Sequence, residues 1–138
     1  MTALLLRGRV LSFRSKPEGI DDRASYVFEE DGGVLVRDGR IAAVGDFARI
    51  RREAGEGVGT VDHRPHLLLP GFIDAHAHVP QMQVIASYGA ELLDWLNRYT
   101  FPEETKFSDP VHARRIARLF LDELVRHGTT TVAAYCSV

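Results

Sequence analysis

Apolar and polar positions divide the chain into two stretches of different period. From Met1 to about His66 the apolar residues come in short β-like runs, at Ala3 to Phe13, Tyr26 to Phe28, Val34 to Arg37 and Arg40 to Val44. Only Asp38-Gly39 separates the last two. A two-residue Asp-Gly joint between such runs predicts a β-hairpin, because a type I′ turn needs φ > 0 at both central positions. Asp46 stands as the N-cap of a short helix reaching Ala54, and Gly55, Gly57 and Gly59 end it before a brief strand, Thr60 to Asp62. The expected product is a small β-sheet layer.

From Leu67 onward the period lengthens. Leu67 to Ala75 is apolar almost without alternation, which predicts a strand covered on both faces, as in a parallel sheet. The strongest helical pattern is Pro110 to His127. Asp109 caps it, Pro110 suits the first helical position, Ala113, Ile116, Ala117, Phe120 and Leu124 share a face, and Gly128 stops it. Thr129 to Val138, Cys136 included, reads as another buried strand. A shorter helix is expected over Ala90 to Tyr99, ended by Phe101-Pro102, with Glu103 to Asp109 looping. Strand, helical connection and strand make a βαβ unit, so the fold class is α/β.

Composition narrows the function classes. Apolar residues make up 45% of the 138 and charged residues 26%, the balance of a soluble globular chain. A formal charge of −2 gives no electrostatic reason to expect nucleic acid or anionic lipid as a partner. The single Cys136 excludes an internal disulfide, and Arg7 cuts the apolar run Ala3 to Leu6 before it could serve in a secretory signal. No stretch approaches the roughly 20 apolar residues of a spanning helix. The expectation is a cytoplasmic protein and no membrane contact.

The sharpest chemical feature is His76-Ala77-His78. Strand side chains two apart project from one face, so both imidazoles could converge on one metal ion at about 2.0–2.1 Å. Spacing alone also fits two partly exposed histidines at a strand end. His63, His66, His112 and His127 suit surface or capping roles, His127 favoured by the helix dipole. Asp74 could steady a histidine or close a strand-end hydrogen bond. Trp95, beside Leu92, Leu93 and Leu96, reads as core or as the wall of a site, and Arg114, Arg115 and Arg118 as a solvated helix face.

Pro70-Gly71-Phe72-Ile73-Asp74-Ala75-His76-Ala77-His78 resembles the first barrel strand of the amidohydrolase superfamily, and Asp38-Gly39-Arg40-Ile41 with Val44-Gly45 resembles the hairpin that precedes it there. The run Leu92 to Glu104, and His127-Gly128-Thr129-Thr130-Thr131 after Phe120 to Leu124, are similar to the guanine deaminase branch. The resemblance implies an N-terminal β-sandwich segment over residues 1–66 and, over 67–138, the start of a (β/α)8 TIM-type barrel, incomplete in this chain. It implies that His76 and His78 hold Zn2+, although iron is not distinguished from zinc. Gln81 would contact the purine, its amide matching guanine's mixed donor and acceptor edge, and Trp95 would line the site. The implied activity is hydrolytic deamination of guanine to xanthine and ammonia, by a homodimer of the full-length enzyme. Another aromatic deaminase or chlorohydrolase of the superfamily, or an inert structural fragment, are the alternatives. No catalytic residue beyond the two ligands is expected here. The superfamily takes its other His and Asp ligands and its Glu proton shuttle from later strands of a barrel of roughly 250 residues, so the chain reads as an N-terminal portion, inactive alone.

Overall fold

In the computed structural model, which describes residues 2–136, the chain forms two units, Met1–Pro70 and Gly71–Val138. The first is built on β1 (Ala3–Phe13), β2 (Tyr26–Arg37), β3 (Arg40–Asp46) and β4 (Gly59–Leu68). The sheet order is β3-β2-β1-β4, with β1 antiparallel to β2, β2 antiparallel to β3 and β4 parallel to β1. Asp38 and Gly39 join β2 to β3 with φ of 49° and 75°, the two positive values that the Asp-Gly joint predicts. Asp46 caps α1 (Phe47–Ala54), its Oδ1 accepting from the Arg49 backbone N–H at 2.8 Å.

Ile50 and Ala54 on α1 pack onto Leu5 of β1 and Leu35 of β2, all buried. The second layer of this unit is therefore a helix. Among the described residues it holds one sheet, the sheet layer that the short β-like runs predict, and α1 lies where the sandwich implied by the resemblance would set a second sheet. β4 is also longer than the Thr60 to Asp62 expected, because its pairing with β1 resumes after an irregularity and takes in Leu67 and Leu68. Those leucines thus finish the first sheet instead of opening the next strand. Tyr26 to Phe28 and Val34 to Arg37 belong to one strand, since the polar stretch between them stays paired with β1. Arg7 grips Asp31 through two hydrogen bonds of 2.7 and 2.6 Å and lies over the Phe47 ring. This pairing holds the Asp31 carboxyl below its ordinary range, as Arg64 does for Asp62.

The second unit carries β5 (Phe72–His78) and β6 (Thr129–Tyr135), paired in parallel. Pro70 and Gly71 break the long apolar run that suggested a single strand from Leu67, proline because it cannot donate to a ladder. Phe72 and Ile73 are exposed, 57% and 75%, because β6 is the one strand paired with β5 among the described residues. This overturns the expectation of a strand covered on both faces. The Gly71 Cα lies against Thr130, and the Phe72 N–H donates to Gly128 O at 2.8 Å. β6 ends at Tyr135, so Cys136 is exposed outside it. Ser137 and Val138 of the expected strand lie outside the described residues.

Between β5 and β6 run a 3-10 turn (Val79–Val84), α2 (Leu92–Trp95), a π turn (Leu96–Thr100), α3 (Phe101–Thr105), a second 3-10 turn (Lys106–Ser108) and α4 (Pro110–Arg126). Helix was expected to stop at Phe101-Pro102 and instead continues. The π turn widens the coil just ahead of Pro102, where a regular turn would drive the proline ring into a preceding carbonyl. Asp109 caps α4 by accepting from Val111 N–H at 2.9 Å, Ile116 is its buried residue, and Gly128 follows it with φ 84°. No helix among the described residues is long and apolar enough to cross a membrane.

Candidate active site

The two histidines of the His-x-His run stand at the end of β5, and the strand's period of two brings their rings together. Their Nε2 atoms lie 2.9 Å apart, one donating to the other. Tyr135, paired with His78 across the parallel ladder, sets its ring against both imidazoles, with centroids 4.7 Å from His76 and 5.1 Å from His78. Asp74 Oδ1 accepts from the His76 backbone N–H at 3.0 Å, the strand-end bond that its position allows. It holds the backbone of the strand end and leaves the imidazole free.

The donor set suits a metal of intermediate softness such as zinc. At Zn–N bonds of about 2.0–2.1 Å, a tetrahedral angle puts two ligand nitrogens about 3.3 Å apart. The observed pair needs to open by only a few tenths of an ångström and to give up the shared Nε2 proton, so that both rings carry hydrogen on Nδ1. Among the described residues no group of three or more His, Cys, Asp or Glu side chains could hold an ion. These residues therefore fit a metal as a pair of ligands, not as a whole coordination sphere.

Beside the pair opens a cleft of about 420 Å³ whose lining includes His76, His78, Gln81, Met82, Trp95 and Phe120. All four candidate residues thus meet at one concavity. Gln81 sits in the 3-10 turn that follows β5. Its Nε2 donates to Glu104 Oε1 at 3.2 Å, tying the turn to α3. One step away on the exposed side, Gln83 donates to Glu103 at 2.8 Å, and Lys106 also holds that carboxylate. Lys106 first and Gln83 second keep the Glu103 carboxyl below its ordinary range.

Trp95 is half-buried, and its indole N–H donates to Ser87 Oγ at 2.8 Å and more weakly to Ser87 O at 3.2 Å. Gly89 leaves room for it, since a Cβ there would meet the Trp95 ring and Cβ. The neighbouring Leu92 and Leu93 are exposed, 69% and 72%, so Trp95 belongs to the cleft wall and not to an apolar core. Of the other histidines of this unit, neither His112 nor His127 lines the cleft. His127 Nδ1 meets Glu123 O at 2.9 Å at the end of α4, and His112 lies edge-on to Phe107.

Sequence reasoning passed over Tyr135 and Glu104. Tyr135 is placed by the register of a parallel pair whose strands are some fifty residues apart, and no local pattern encodes that register. Glu104 falls in the stretch that reads as a loop, because Phe101-Pro102 predicts the end of the helix.

The family model described as "Amidohydrolase family" matches residues 67–137, and one described as "Imidazolonepropionase-like composite domain, bacteria" matches residues 32–56. The guanine deaminase of Escherichia coli is 33% identical over 138 residues, a match covering 99% of this chain and 31% of that protein. The chain thus spans about a third of the length of the curated relatives it matches. Among solved structures, guanine deaminase from Bradyrhizobium japonicum superposes with a TM-score of 0.89 at 38% identity, covering 99% of this chain and 30% of that one. A guanine deaminase from C. acetobutylicum with bound guanine in its active site gives 0.75 at 31% identity, covering 98% and 30%.

Proposed function

Because the chain belongs to the amidohydrolase family, we propose that it forms part of a zinc-dependent guanine deaminase, residues 67–138 opening a (β/α)8 barrel. The observation that carries this reading is the convergence of the His76 and His78 Nε2 atoms, 2.9 Å apart, on a cleft that Gln81 and Trp95 also line. Guanine deaminases among its sequence and structural relatives supply the substrate.

In this reading His76 and His78 hold the metal through Nε2. A bound zinc supplies Lewis acidity and brings the pKa of water down toward neutrality. Tyr135, stacked on the His78 ring and tilted against that of His76, restricts their rotation, so the nitrogen pair is set before a metal arrives. Gln81 orients the purine through its amide, and Trp95 covers an aromatic face and excludes water from the cleft. The overall change breaks the bond from C2 to the exocyclic nitrogen and consumes one water, giving xanthine and ammonia. The remaining ligands and the proton shuttle would come from outside this chain.

The test is ammonia release from guanine by the full-length protein, with zinc content measured alongside. His76→Ala and His78→Ala should each lower metal content and bring turnover near background, because loss of a ligand leaves the ion loosely held. Wild-type zinc content in the double alanine variant would refute the ligand assignment. A wild-type protein that ignores guanine but deaminates another aromatic amine would narrow the conclusion to the wider family.

A further inference from the structure

A glutamine amide presents an acceptor at one end and two donors at the other, and nothing in its shape prefers one orientation. At Gln81 the surroundings decide. An ionised carboxylate only accepts hydrogen bonds, so the 3.2 Å contact to Glu104 Oε1 obliges the NH2 end of Gln81 to face α3. With that end of the amide held, the order of Oε1 and the second N–H is fixed on a residue that lines the cleft. Glu104 is half-buried and is not among the residues lining the cleft, so it acts on a ligand only through Gln81. The neighbouring Gln83–Glu103 bond has the same chemistry, yet it is exposed and Gln83 does not line the cleft.

We propose that Glu104 is a positioning residue that fixes the orientation of the Gln81 amide, and so dictates that the matching ligand edge places a hydrogen-bond donor opposite Oε1. A purine edge with a ring N–H next to an acceptor meets this demand, and the same ring with donor and acceptor exchanged does not. The inference rests on the reading of Gln81 as a purine contact.

Substitution of Glu104 by residues of graded hydrogen-bonding character in the full-length protein separates positioning from simple bracing. Glu104→Gln can accept from or donate to Gln81. It allows both orientations and should raise the KM for guanine about twofold, in proportion to the fraction correctly oriented. Glu104→Lys can only donate, forces the amide round, and should raise KM about tenfold, the cost of an unmatched buried polar contact. In both variants zinc content and melting temperature should stay near wild type and kcat should change little, because a contact made equally in ground and transition states acts on KM. Adding Glu104→Lys to Gln81→Ala should have no further effect.

Wild-type KM in Glu104→Lys, with Gln81→Ala impaired, would overturn the proposal and leave Glu104 as a brace. So would KM losses that follow melting temperature through the series. If Gln81→Ala itself binds and turns over guanine normally, the contact assigned to Gln81 falls and this proposal falls with it.

Discussion

Replacing Gly71 by alanine tests how closely the strand that carries His76 and His78 is held to its neighbour. A Cβ at this position would sit 2.7 Å from the Thr130 Cβ, whereas two carbons in ordinary contact keep about 3.5–4.0 Å. The start of β5 and the start of β6 must therefore part by about 1 Å. No rotamer change relieves the clash, because the Thr130 Cβ is fixed to its backbone. The adjacent bond from Phe72 N–H to Gly128 O, now 2.8 Å, would be stretched by a similar amount, past the roughly 3.2 Å of a sound N–H···O bond. Overpacking of this kind costs about 1–3 kcal/mol, and we expect about 2 kcal/mol for Gly71→Ala by urea denaturation. Thr130→Ala in the same background keeps the offending Cβ and should not rescue stability. Thr130→Gly removes it and should recover most of the loss. Stability of Gly71→Ala within about 0.5 kcal/mol of wild type, the range of an unremarkable surface change, would refute the reasoning, as would full rescue by Thr130→Ala.

Two further expectations concern packing and charge. Ile50, fully buried against Leu5 and Leu35, should cost about 2–5 kcal/mol when cut to alanine; a loss below about 1 kcal/mol in denaturant melts would mean that α1 does not complete the first unit's core. The Glu103 carboxyl is depressed by Lys106 and Gln83, so its contribution to stability is fully present above the ordinary glutamate pKa of about 4.3 and is lost as pH falls through the lower folded value. Carboxyl NMR titration should place its midpoint below that of a free glutamate and bring it back up in Lys106→Ala. A midpoint at or above the free value would contradict the Lys106 clamp.

Local chemistry was legible in the sequence and non-local pairing was not. Asp38-Gly39, the Asp46 and Asp109 caps, Pro110 and Gly128 each act within a few residues of themselves, and each does in the fold what its type predicts. The convergence of His76 and His78 follows from strand period alone. The length of β4 depends on partner donors in β1, which no local pattern reveals. The apolar run from Leu67 predicts one buried parallel strand, but its first two residues finish another sheet and only Phe72 to Ala75 belong to β5. Pro102 misled because a π turn upstream absorbs the ring, and the error hid Glu104, the partner of Gln81. The sheet layer of the first unit was legible in its short apolar runs, whereas the packing of Ile50 and Ala54 of α1 onto Leu5 and Leu35 joins residues far apart in sequence, which no local pattern reveals.

Trp95 is the chain's sole tryptophan, and it stands in the cleft wall bound to Ser87. Indole fluorescence therefore issues from the second unit alone, next to the histidine pair, while Tyr26 is the one tyrosine of the first unit. An intrinsic optical reporter thus stands in the cleft wall, needing neither label nor substitution. Backbone ellipticity, by contrast, sums over both units. Recorded together through one unfolding transition, the two signals coincide only if the units melt as one cooperative body, and any gap between them measures how far the second unit unfolds independently of the first.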